Sequence, residues 1–503
     1  MELFQILILS VYFSVLVILA VYGLHRYYLS YLFYRHRDNY PKNLKKFTDL
    51  KNVPFLTIQL PIFNERYVAG RLIESICELS YPADKLEIQV LDDSTDDTVN
   101  IVAGVVERLQ TQGYDIVHLH RKDRRGFKAG ALAAGMKVAK GELIAVFDAD
   151  FLPQVDFLEK LIPYFETHPK VGMVQARWGH INREYSLLTQ AQSIFLDGHF
   201  VIEHTARNRS GRFFNFNGTA GVWRKECIIE AGGWEHDTLT EDLDLSYRAQ
   251  MKGWQFIFVP DVIAPAELPV EINAFKSQQH RWAKGSIQTA IKLVPKILRA
   301  PLPLRVKSEA LFHLTNNLAY LLMVVLSILM PISLAVRYDV GWVETIFIDL
   351  PFFMSATFSV TFFYCCSQRA IYSDWTQRLK YIPFNLALGI GLSVNNAKAV
   401  LEALFQKESE FVRTPKYAIL KKGDDWKDKK YKKKVSLVTV FEFVLAGYFL
   451  FAIYYAATHA LYVSIPFLLL FLTGYLYLAL LSLFQSKAVT AFFPVLRSQK
   501  NFY

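Results

Sequence analysis

The chain has 503 residues, of which 52% are hydrophobic and 20% charged, with a formal net charge of +10. That length exceeds one ordinary domain, and so large an apolar share calls for several membrane spans beside a soluble part. Four cysteines (Cys77, Cys227, Cys365, Cys366) show neither metal spacing nor a disulfide framework. Much of the positive charge lies between Lys421 and Lys434 with no base-reading motif beside it. Anionic lipid is therefore the expected partner there, and nucleic acid is not.

The first apolar stretch, Leu3 to Leu24, lacks a basic leader and a small-residue cleavage site. It is too long for a signal-peptide core and is expected to stay as a span within residues 1–28. His25, Arg26, Arg35, Arg37, Lys42, Lys45 and Lys46 follow, so the positive-inside rule puts the next domain in the cytosol.

Residues 50–270 carry that domain. Strands are expected at Phe55–Leu60, Glu87–Leu91, Ile116–His120 and Leu143–Phe147, with helices at Arg66–Leu79, Asp97–Gln110 and Lys128–Ala139 between them. Such alternation implies a mostly parallel sheet with right-handed crossovers, a Rossmann-like α/β fold. Ligands of these sheets sit beyond the carboxyl ends of the strands. Polar clusters occupy three of those ends: Asn64-Glu65, Asp92-Asp93 and Asp148-Ala149-Asp150. No glycine-rich phosphate loop is present, which excludes a dinucleotide fold and a P-loop.

Beyond residue 270 the pattern turns to the membrane. Residues 271–308 read as amphipathic interfacial helices, and residues 309–366 as a helix pair, Ala310–Val336 and Val343–Cys366. Residues 381–405 are apolar but carry Asn395, Asn396, Lys398 and Glu402. Crossing there would leave the following basic stretch outside, so an interfacial or re-entrant piece is expected. Residues 406–434 form a cytosolic basic loop, 435–484 a second spanning pair and 485–503 a cytosolic tail, giving five spans. The adjacent Cys365 and Cys366 are buried thiols or a palmitoylation site.

The chemistry is concentrated in four motifs. Asp148 and Asp150, one residue apart after an apolar strand, suit a hard divalent ion, Mg²⁺ or Mn²⁺. Asp92 or Asp93 is placed to hold a nucleotide base or ribose, with helix capping as the alternative. Lys128 opens a helix, where its charge and the helix N-terminus favour a diphosphate. Glu241 and Asp242 follow Thr240, and a carboxylate there can take the proton of an attacking hydroxyl; Asp244 is a competing candidate. Gln278, Arg281 and Trp282 fall on one helix face, where the guanidinium can grip a diphosphate and the indole can stack on a sugar. The plainer reading of that face is an interfacial helix with Trp282 among lipid headgroups.

This ordered set resembles the processive family 2 glycosyltransferases, which include cellulose, chitin and hyaluronan synthases. Phe216 to Gln288, with Phe-Asn-Gly-Thr-Ala-Gly-Val-Trp-Arg at 216–224 and Ala-Gly-Gly-Trp at 231–234, is most similar to the cellulose-synthase-like A branch, the β-mannan and glucomannan synthases. The resemblance implies a GT-A fold, a nucleotide-sugar donor, a divalent metal and inversion to a β-linkage. It assigns the base to Asp242 of Thr-Glu-Asp and adds Gly218 and Thr219 to the substrate-binding set. Phe411, Thr414 and Lys416 match the gating-loop motif FxVTxK of cellulose synthases, but Arg413 stands where valine is usual. A linker whose Pro415 stops a helix is the other reading.

The expected activity is transfer of a hexose from GDP-mannose, GDP-glucose or UDP-glucose to a growing β-linked polysaccharide, extruded through the spans. The alternative is a non-processive enzyme with a ceramide or polyprenol acceptor. The expected location is a bacterial inner membrane or a Golgi membrane, and no oligomeric state is implied.

Overall fold

The computed structural model describes residues 2–485 apart from 40, 42, 43, 343, 345, 408–412, 427, 428 and 430–435. Phe411, Val412, much of the basic segment and nearly all of the expected cytosolic tail therefore lie outside the described residues.

The four expected strands form as β1 (Leu56–Ile62), β2 (Leu86–Asp92), β3 (Ile116–His120) and β4 (Leu143–Val146). Three more follow: β5 (Val171–His180), β6 (Gly221–Arg224) and β7 (Gln255–Ala266). The sheet order is β3-β2-β1-β4-β6-β5-β7. β1 pairs in parallel with β2 and β4, and β2 with β3. Only β6 runs against its neighbours, between β4 and β5, while β5 and β7 are parallel.

Helices cover both faces, so β4 reads as an apolar run, whereas β1 and β2 alternate apolar with polar residues and bury the latter by pairing Thr57 with Glu87 and Gln59 with Gln89. In β4, Leu143 and Ala145 enter one core layer, with Ile73 and Val102, whereas Ile144 and Val146 enter the other, with Trp223 and Phe258. The two-residue period of the strand thus serves two cores. The helix expected from Arg66 begins at Ala69 instead. Asn64, with φ of 53°, takes a left-handed turn at the strand exit that delays the helix.

Five helices among the described residues are long and apolar enough to cross a membrane: Leu3–His36, Leu318–Asp339, Phe347–Ile371, Leu437–Thr458 and Tyr462–Phe484. They mark the chain as a membrane protein. Tyr12, Leu326, Phe449, Phe471 and Tyr475 form their shared core. The region 381–405 forms two short helices, Ile382–Gly391 and Ser393–Leu404.

The long helix Ile272–Arg299 joins the two parts. Glu271 caps it, its carboxylate accepting from the amides of Asn273 and Ala274. One turn in, Lys276 Nζ donates to Glu442 Oε2 and Ser482 Oγ, each at 2.6 Å, on the last two spanning helices.

Candidate active site

A cavity lies beyond the carboxyl ends of the central strands, where the strand order reverses around β1 and β4. Glu65, Asp93, Lys128, Asp148, Asp150 and Gly218 line its sheet side. Glu241 and Asp242 enter from the start of helix Glu241–Met251, and Gln278, Arg281 and Trp282 from one face of helix Ile272–Arg299. Thr414 and Lys416 close it from the segment after helix Ser393–Leu404.

Each carboxylate of the aspartate pair holds an ammonium group. Lys128 Nζ lies 2.5 Å from Asp148 Oδ1 and 2.9 Å from the Gly218 carbonyl. Lys416 Nζ lies 2.7 Å from Asp150 Oδ2 and also donates to the Glu267 carbonyl. The backbone amide of Asp148 donates to Thr219 Oγ1 at 2.9 Å, which orients the strand end. Hard oxygen donors that already gather two cations fit a divalent ion such as Mg²⁺ or Mn²⁺.

Gly218 has φ of 80°, and a Cβ there would lie 3.1 Å from Asp242 Oδ2. Glycine therefore serves both the left-handed turn and the close approach of the carboxylate. Asp242 Oδ1 accepts from the Leu243 amide at 2.8 Å. Burial, followed by the neighbouring Glu241 charge, pushes the Asp242 carboxyl up to about 7. Glu241 is likewise raised, chiefly by burial. Burial alone would lower the Lys128 amine, but Asp148 and Glu241 beside it raise it overall. Burial lowers the Arg281 guanidinium against the pull of Glu241 and Asp148, which still leaves a cation aimed at the acidic cluster.

Three expected binding residues do not line this cavity. Asp92 is fully buried; its Oδ1 accepts from the Ser94 amide at 2.8 Å and its Oδ2 lies 2.9 Å from His118 Nε2. Its carboxylate therefore faces β3, and Asp93 is the member of the pair that faces the cavity. The Asn64 amide donates to Ser94 Oγ and its Oδ1 accepts from the Thr95 amide, both at 2.8 Å, so Asn64 ties two strand-end loops together. Thr219 acts on Asp148 as described. Asp244, the competing base candidate, is buried between Arg248 at 2.7 Å and Lys292 at 3.0 Å, a structural position.

At and beside the cavity stand groups that the motifs do not include, and Arg413 finds its partner there. Arg121 grips Asp93 with two bonds, Nε to Oδ1 at 2.7 Å and Nη2 to Oδ2 at 2.6 Å. It directly follows β3, so the strand-end rule would have found it. Arg413 Nη1 lies 3.0 Å from Glu65 Oε2, and Glu267 accepts the Tyr417 amide at 2.8 Å. Trp178, on the unread β5, places its ring 6.5 Å from that of Trp282. A second cavity of about 470 Å³ adjoins the first and shares Trp178, Asn217, Asp242, Gln278 and Trp282 with it. It continues between the spanning helices past Arg26, Tyr320, Phe353 and Phe471.

Residues 54–285 match the family described as "Glycosyltransferase like family 2". The architecture is GT-A-like, and this stretch is similar to family 2 glycosyltransferase domains. Over 250 residues the chain is 44% identical to a glucomannan 4-beta-mannosyltransferase 1 of Oryza sativa subsp. japonica, covering 49% of this chain and 48% of that one. It is 44% identical over 252 residues to glucomannan 4-beta-mannosyltransferase 2 of Arabidopsis thaliana, covering 49% and 47%. The match thus spans about half the length of these curated relatives. In fold the chain is similar to a mannosyltransferase from Pyrobaculum calidifontis solved with GDP-Man and Mn2+, with a TM-score of 0.52, 20% identity and coverage of 80% of this chain and 100% of that one.

Proposed function

We propose that the protein is a membrane-bound inverting glycosyltransferase that moves mannose from GDP-mannose to the end of a β-1,4-linked mannan or glucomannan. The observation that carries this reading is the convergence of Asp242, Arg281 and the Asp148–Asp150 pair on one cavity that continues between the spanning helices. The donor and linkage rest on the names of the relatives, two of them 44% identical glucomannan 4-beta-mannosyltransferases.

In this reading Asp93, held by Arg121, receives the nucleoside. Asp148 and Asp150 would hold Mg²⁺ or Mn²⁺, which supplies charge neutralisation to the departing diphosphate. Arg281 and Lys128 bind the same diphosphate through charge-assisted bonds. Trp282 and Trp178 offer apolar faces to the acceptor's terminal sugars. Asp242 accepts the proton of the attacking hydroxyl, and its raised affinity for protons suits that task near neutrality. One displacement at the anomeric carbon inverts the donor's α-configuration to β, so no glycosyl-enzyme intermediate is needed.

The adjoining cavity is the exit path for the polymer, and the basic residues after the first span put the catalytic domain in the cytosol of a bacterial cell or on the cytosolic side of a Golgi membrane. The test is incubation of detergent-purified protein with Mg²⁺ or Mn²⁺ and radiolabelled GDP-mannose, GDP-glucose or UDP-glucose in turn. The reading expects label from GDP-mannose in a polymer that β-mannanase degrades. Label found only in lipid-extractable material would replace it with a glycolipid enzyme.

A further inference from the structure

A carboxylate and two imidazoles converge at the β3 edge of the sheet, outside the cavity just described. His118 and His120 are two apart on β3 and so share one face. In the parallel pairing Val90 opposes His118 and Asp92 opposes His120, which brings the Asp92 side chain onto that same face. Asp92 Oδ2 lies 2.9 Å from His118 Nε2 and 3.6 Å from His120 Nδ1. The three donor atoms all fall within 4.8 Å of one another.

Asp92 has hydrogen-bond partners, but among the described residues no lysine or arginine pairs with it. The Asp92 side chain is 0% exposed, and among the described residues its ion-pair partners are these two imidazoles. The nearby guanidinium of Arg121 is committed to Asp93. A buried carboxylate needs a compensating cation, and a neutral imidazole supplies a hydrogen bond without the charge. Donor atoms around a tetrahedral ion at about 2.0–2.1 Å lie roughly 3.3 Å apart, between the two distances seen here. The second Asp92 oxygen is fixed by the Ser94 amide, the kind of outer support that orients a metal-bound carboxylate. The His118 and His120 side chains are 16% and 33% exposed, which gives an ion a way in.

We propose that Asp92, His118 and His120 form a second metal site, selective for a borderline divalent ion of the Zn²⁺ class, with solvent completing the coordination. Two nitrogens and one oxygen favour such an ion over Mg²⁺, which seeks oxygen alone, so this site and the aspartate pair take different metals. An ion here would staple the ends of β2 and β3, the strands that deliver Asp93 and Arg121 to the cavity. The site stands whatever sugar the enzyme transfers.

The test is a Co²⁺ titration of tag-free full-length protein in detergent, with excess Mg²⁺ filling the hard oxygen pair. One equivalent of Co²⁺ should produce visible d–d bands that Zn²⁺ abolishes by displacement. His120→Ala, which leaves the His118–Asp92 hydrogen bond in place, should weaken the binding about ten-fold or more. The double variant His118→Ala/His120→Ala should show no saturable signal. Absence of a saturable signal in the wild type, or a His120→Ala titration that overlays it, overturns the proposal.

Discussion

Lys416 stands 266 residues after Asp150, yet its ammonium sits 2.7 Å from the Asp150 carboxylate. Three residues earlier, Arg413 pairs with Glu65 at 3.0 Å. The segment after helix Ser393–Leu404 is therefore fastened across the mouth of the cavity by two ion pairs. Each joins it to the end of a different strand, β1 through Glu65 and β4 through Asp150.

Removing one partner of such a buried pair costs more than removing both. Lys416→Met should lower stability by about 3–5 kcal/mol, because Asp150 is left charged in a poorly hydrated place. Adding Asp150→Asn should recover part of that loss, with a coupling of at least about 1 kcal/mol. Thermal melts of the wild type, both single variants and the double variant measure it. Strict additivity would show that the pair does not act as a unit.

Asp242→Asn should reduce turnover about a hundred-fold or more while donor affinity changes little. Single-turnover incorporation and calorimetric titration of the nucleotide sugar separate the two effects. Asp244→Asn, at the structural carboxylate two residues along the same helix, should instead lower the melting temperature by uncoupling Arg248 and Lys292. Equal loss of turnover with intact stability in both variants would contradict the assignment of the base.

The pH profile follows from the raised Asp242 carboxyl. Its cause is burial first and the Glu241 charge second, so the proton leaves only near pH 7. Below that the base is protonated and cannot accept a proton, so kcat/KM should fall about ten-fold per pH unit on the acid side. An acid limb near pH 4, the ordinary aspartate range, would mean that the carboxylate is solvated in the working enzyme.

Gly285 offers a test of how helices Glu241–Met251 and Ile272–Arg299 are spaced. A Cβ there would meet Thr240 Cγ2 at 2.5 Å and the Thr240 backbone nitrogen at 2.9 Å. Alanine gains about 1 kcal/mol of helix propensity, but the clash against backbone costs about 1–3 kcal/mol and wins. Gly285→Ala should thus push Glu241–Met251 away from Arg281, lowering turnover with a modest fall in melting temperature. Normal turnover would show that this spacing is not critical.

The sequence carried the sheet as far as β4, because those strands are short β-rich runs that alternate regularly with helical stretches. It did not carry β5 to β7. β5 and β7 bend at register irregularities, and β6 has only four residues and reverses direction. Trp178 was missed with them. The aspartates, Thr-Glu-Asp and the Gln278–Trp282 face were legible because each stands at a strand end or on one helix face. Asp92 and Asp93 were inseparable on paper, since adjacent residues on a strand exit differ only in which way they turn. That choice depends on partners, His118 for one and Arg121 for the other, that lie 26 and 28 residues away. The Arg413–Glu65 contact had no local signal at all.

The ion pair between Lys276 and Glu442 has a practical bearing on how the catalytic part can be handled. Lys276 sits two residues before Gln278, on the same helix, and both members of the pair are nearly or fully buried. A fragment ending at residue 285, where the family match stops, would keep the ammonium and discard the carboxylate and the Ser482 hydroxyl that satisfy it. The membrane helices are thus part of the frame that sets the register of Arg281. Excising residues 54–285 as a water-soluble piece should yield a folded sheet with a misaligned Arg281, and reconstitution belongs with the whole chain in lipid.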